Sequence, residues 1–141
     1  MNNLIIKRSQ LIEAEVQSLA IGQKFQFKEI PNLSRNNILL YGFEAYTRTQ
    51  LRTSPQGNNT LLAADAHNVV VSFRDTNKVE FVYQVPLYNL VRSNVGGFIT
   101  MITPRLINLT DSYIQLVNAG SVTAGEAVVL NLYYSLPGED A

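Results

Sequence analysis

The stretch "LLAADAHNVVVSF", residues 61–73, carries the only histidine of the chain, His67, two positions after Asp65. On a strand, residues i and i+2 share a face, so this pair would have the arrangement that two metal ligands or a carboxylate-oriented general base require. A zinc site needs at least three protein ligands. The chain has no cysteine, and its other carboxylates show no ligand spacing. No serine stands in a Gly-x-Ser-x-Gly turn. The glycines Gly96 and Gly97 of "NVGGFIT" lack the lysine and the following helix of a phosphate loop. The acid pairs Glu13/Glu15 and Glu139/Asp140 read as solvated surface. The sequence thus points to no catalytic residue, no metal and no cofactor. Asp65 and His67 are read as outward or rim positions on the approach to a strand whose buried positions begin at Val69 or Val70.

The elements that would position such residues are strands. "KFQFKEI" sets Phe25 and Phe27 on one face against Lys24, Gln26 and Lys28. "ILLYGFEAYTRTQL", residues 38–51, alternates over a long run, and a loop with Pro55 and Gly57 follows. In "VVVSFRDTNKVEFVYQV", Asp75 and Asn77 bracket a short hairpin turn, with Val71, Phe73, Val79, Phe81 and Tyr83 as apolar partners. Residues 97–103, 105–110, 112–118 and 126–136 complete the set, separated by Pro104, by Asp111-Ser112 and by "AGSVTAG". With no alternation of helix and strand, the expected fold is an antiparallel all-β sandwich or barrel. An immunoglobulin-like sandwich and an eight-stranded jelly roll both fit, and the uneven loops favour the jelly roll.

Residues 1–22 stand apart from a single domain over 23–141. Leu11, Ile12, Glu15, Val16 and Leu19 recur at helical spacing behind Ser9 as N-cap, which predicts a short amphipathic helix near 10–20; an extended arm is the rival. Lys7 and Arg8 follow the apolar Leu4-Ile5-Ile6 patch and acids interrupt the next one, so the start of the chain does not read as a signal peptide. Six of the seven tyrosines fall in expected strands. The exception, Tyr88, lies with Leu87 and Leu90 in "VPLYNLV", an apolar connection that reads either as a subunit interface or as a loop tucked onto the end of the sandwich.

Eleven basic and eleven acidic residues give no net charge, and charged residues make up 16% of the chain, against roughly 25% in an average domain. Little self-repulsion opposes association of such a molecule. The basic residues are dispersed, so no direct nucleic-acid contact is expected.

In these terms the chain resembles the single jelly-roll capsid proteins of icosahedral viruses. The strand "ILLYGFEAYTRTQL", the hairpin "VVVSFRDTNKVEFVYQVPLYNL" and the closing strand "EAVVLNLYYSL" are similar in style to the penton, or vertex, protein of tailless lipid-containing bacteriophages, over roughly residues 23–136. The resemblance implies a non-enzymatic structural protein made in the host cytoplasm and residing in the virion. Its implied partners are copies of itself, in a pentamer, the major capsid protein, and a spike protein or the internal membrane. Candidate subunit-interface residues are Leu4, Ile5, Ile6, Leu87, Tyr88 and Leu90. The alternatives are a carbohydrate- or receptor-binding spike or fibre head and the major capsid subunit of a small icosahedral virus.

Overall fold

The computed structural model describes residues 8–29, 38–48, 59–91 and 100–136. They form seven strands: β1 (Arg8–Glu15), β2 (Lys24–Gln26), β3 (Ile38–Tyr46), β4 (Val69–Asp75), β5 (Glu80–Pro86), β6 (Thr100–Leu116) and β7 (Ala127–Ser135). All strand pairings are antiparallel, in the order β1-β7-β3-β6-β4-β5, with β2 also on β6. The all-β antiparallel expectation is therefore met. Of the eight expected strands three merge into one, and a seventh strand comes from the segment set apart as arm or helix.

That segment is β1, paired with β7 along its whole length from Arg8↔Tyr134 to Glu15↔Ala127. The helix expected near 10–20 does not form. Its spacing competes with a period-two pattern, Ile12, Ala14 and Val16, and those three side chains are the ones buried in the core. The edge of β7 gives this pattern a ladder and an apolar face together, which no isolated short helix has.

The merged strand is β6, 17 residues long. Its first half pairs with β3 and its second half with β4 and β2. Pro104 lies where the β3 register slips between Leu40 and Gly42 and before the β4 pairing begins at Ile107, so its missing N–H breaks no regular ladder. Asp111 and Ser112 fall in a second irregularity, between Ser72 and Arg74 of β4. There side chains replace the ladder: Ser112 Oγ accepts from the Arg74 N–H at 3.2 Å and donates to the Asn108 carbonyl at 2.8 Å. Residues that break strands by local rule are here absorbed as bulges.

Because β6 changes partners along its length, it links two halves of one sheet whose inner faces meet as a sandwich. Phe43 from β3 meets Phe73 from β4 edge to face at 5.1 Å between centroids, and Phe27 stacks on Phe73 at 5.8 Å. The Lys28 N–H donates to the Glu13 carbonyl at 2.8 Å, fastening the segment after β2 to the outer edge of β1.

The β4–β5 hairpin forms where expected. Asp75 Oδ1 accepts from the N–H groups of Asn77 and Val79, both at 2.9 Å, and Lys78 takes a left-handed φ of 65°. A bulge at Gln84, φ 51°, sets Val82 against Phe73 and leaves Tyr83 exposed, and Val79 is exposed in the turn, so these two are not core partners of the hairpin. Lys78 is a side chain in a conformation that suits glycine. Lys78→Gly is expected to raise the unfolding free energy by about 0.5–1 kcal/mol, the relief of left-handed strain less the entropy of a freer unfolded chain. Urea titration of the two proteins measures it.

Candidate functional site

Asp65 and His67 do not share a strand face. Both lie in a 3-10 helix, Ala63–Asn68, begun by a bond from the Asp65 N–H to the Leu62 carbonyl at 2.9 Å. At three residues per turn, positions i and i+2 point apart. Asp65 is 2% exposed, which corrects its expected place on the rim, and Leu61 and Ala66 are buried ahead of Val69. The His67 ring is exposed and stacks on Tyr88 at 4.0 Å between centroids, 21° from parallel.

The Asp65 carboxylate is engaged by the protein itself. Oδ1 accepts from the Ser121 N–H at 3.1 Å and from Asn68 Nδ2 at 3.0 Å, and Oδ2 accepts from Ser121 Oγ at 2.8 Å. These bonds tie the 3-10 helix to the loop between β6 and β7. Gly120, at φ 49°, lets that loop come close: a Cβ there would stand 2.3 Å from Asn68 Nδ2 and 2.9 Å from Asp65 Oδ1. Among the described residues no three or more His, Asp or Glu side chains gather as a metal site.

The expected interface residues separate. Leu87 and Leu90, in the 3-10 helix Leu87–Leu90, are 0% and 2% exposed and belong to the chain's own core, so they present no surface to a neighbour. Tyr88 between them is partly buried and carries the His67 ring. Leu87 and Leu90 thus tuck this loop onto the sandwich, with Tyr88 partly at its surface. Leu4, Ile5 and Ile6 lie outside the described residues.

Among the described residues, the most buried acid in a strand is one the sequence did not flag. Glu44 of β3 is 1% exposed and stands opposite Asn131 of β7. Its Oε1 accepts from the hydroxyls of Tyr46 at 2.9 Å and Tyr133 at 2.6 Å. Alternation puts Phe43 and Ala45 inward and Glu44 and Tyr46 on the outer face. Only that alternation could have marked Glu44, because a single acid in an apolar run has no partner spacing to notice.

Burial, followed by the hydrogen bond to Glu44 and its negative charge, pushes the Tyr46 hydroxyl from 10.0 up to about 12. A pKa raised on folding contributes stability that is complete below pH 10 and disappears as the pH rises through 12. With no tryptophan in the chain, tyrosinate absorbance reads this directly. Tyr46→Phe should remove one late-titrating phenol and flatten the loss of stability between those two pH values.

Two further networks are structural in the same way. Arg48 donates through Nε to the Thr60 carbonyl at 3.1 Å and pairs through Nη2 with the buried Glu126 at 3.4 Å; Glu126 Oε1 also accepts from the Thr123 N–H at 2.7 Å. On the outer face of the other half, Glu80 Oε1 accepts from Arg74 Nε at 3.0 Å and from the Tyr113 hydroxyl at 3.2 Å, with Lys24 Nζ 4.5 Å above the Tyr113 ring. The bond from Arg74 holds the Glu80 carboxyl below its ordinary range. Each of these acids binds frame, either backbone N–H groups or the side chains of neighbouring strands.

Comparison of the chain with protein-family models, with curated proteins and with solved structures gave no match.

Proposed function

We propose that this protein is a structural subunit that assembles with copies of itself, and that its specific form is the vertex protein of an icosahedral shell with jelly-roll connectivity. The carrying observation is the use made of its buried acids. Asp65, Glu126 and Glu44 are each held by donors from the chain's own loops and strands. Their chemistry rigidifies the sandwich, and a rigid domain with balanced charge is what repeated packing between identical neighbours needs. The similarity in sequence style of "ILLYGFEAYTRTQL", "VVVSFRDTNKVEFVYQVPLYNL" and "EAVVLNLYYSL" to phage penton proteins supports the vertex form, with the major capsid protein, and a spike or the internal membrane, as further partners.

A second reading, a glycan-binding head, has one feature in its favour. Tyr83 is exposed beside Gln84, whose Nε2 lies 3.3 Å from Gln115 Oε1, so an aromatic face adjoins neutral amides. Negative-stain images of the concentrated protein separate the two. Rings with fivefold symmetry support the vertex subunit; threefold heads or single domains that bind immobilised glycan, with binding lost in Tyr83→Ala, support the second.

A further inference from the structure

Among the described residues, the two ends of the sandwich differ in charge. At the hairpin end, exposed Val79 and Leu106 are surrounded by Asp75, Lys78 and Arg105, with Arg105 Nη1 3.3 Å from Asp75 Oδ2. At the other end residues 16–23, 86–91 and 116–125 contain no charged side chain at all, and residues 59–68 contain only the buried Asp65 besides His67.

These segments form one surface. The Gly22 N–H donates to the Leu116 carbonyl at 2.9 Å, the Val117 N–H to Asn68 at 2.8 Å, and the Gly125 N–H to Val16 at 2.8 Å. Ser121 binds Asp65, and Tyr88 lies against His67. From this tied frame three aliphatic side chains project into solvent: Leu19 at 44% exposure, Ile21 at 59% and Val117 at 49%. Among the described residues, charges return at the margin, at Glu15 and Lys24 and in the Arg48–Glu126 pair. A charge-free centre with a polar margin is the anatomy of a protein interface.

We infer that this end, centred on Ile21 and Val117, packs against the same end of other copies of the chain around their symmetry axis. Residues that converge on a rotation axis meet their own counterparts, so any charge placed there faces an identical charge at short range, a costly arrangement. Neutral aliphatic side chains are self-complementary, and among the described residues only this end offers them without charged neighbours. The cross-linked loops keep the surface in one shape before association, which lowers the ordering cost of docking. The inference rests on the subunit reading and adds to it the surface that is used.

Sedimentation of the full chain over a range of concentrations, with Ile21→Lys/Val117→Lys and Val79→Lys beside it, tests this. All three positions are exposed, so thermal unfolding should show three folded proteins with similar midpoints. The expected result is an assembling wild type, a double variant whose half-assembly concentration is roughly a hundredfold higher, and a Val79→Lys protein within about threefold of wild type. A double variant that assembles like wild type overturns the choice of surface and leaves self-assembly standing. A wild type that stays monomeric throughout overturns the subunit reading itself. Monomeric wild type that sediments with phosphatidylcholine vesicles, and loses this in the double variant, overturns the inference by assigning the end to a lipid surface.

Discussion

Phe73→Ala is expected to lower the unfolding free energy by about 4 kcal/mol, within the range for deleting a fully buried aromatic ring. Phe73 has no solvent exposure and takes the stacked Phe27 ring on one side and the edge of Phe43 on another. Those three residues come from the segment after β2, from β3 and from β4. The ring therefore lies where the two halves of the curled sheet meet, and its removal opens a cavity that neither half can fill alone. The bulge of β6 beside it limits collapse further, because Ser112 already carries the bond of the Arg74 N–H. Urea denaturation should show the midpoint falling with an unchanged slope. A loss below about 1.5 kcal/mol would mean that the halves close around the gap and that Phe73 is not the contact joining them.

Asp65→Ala should cost about 3 kcal/mol. The substitution deletes an acceptor of three bonds and strands their donors, the Ser121 N–H and hydroxyl and the Asn68 amide, at a partly buried site. The loop between β6 and β7 then loses its tie to the 3-10 helix. Amide exchange over residues 117–125 should rise more than exchange in β3 or β7, which a purely global destabilisation would not produce. Ser121→Ala should lose less, about 1 kcal/mol, since it removes one bond and leaves the Ser121 N–H in place. In a double-mutant cycle Asp65 and Ser121 should couple; additive losses would contradict the direct contact.

How far the sequence could be read depended on whether local and long-range signals agreed. They agree in "VVVSFRD", where alternation and the Asp75 turn mark the same limits, and β4 occupies those seven residues. They disagree at Pro104 and Asp111-Ser112, strand breakers that β6 runs through because Ser112 makes up a lost bond and Pro104 sits at a slip in register. Over residues 8–15 two periodicities coexist, and the partner strand β7 decides between them. Nothing local tells that Asp65 will turn inward on a 3-10 helix, because its partner Ser121 is 56 residues away. The segment around Tyr88 shows the same limit: its apolar residues are visible in the sequence, but whether they face a neighbour or the chain's own core is fixed by elements distant along the chain.

Native mass spectrometry of the purified protein across a concentration series tests whether the chain is a self-assembling structural subunit. The 15.7 kDa chain should give way with rising concentration to one discrete species of five times that mass. A single species of 15.7 kDa at every concentration would contradict it.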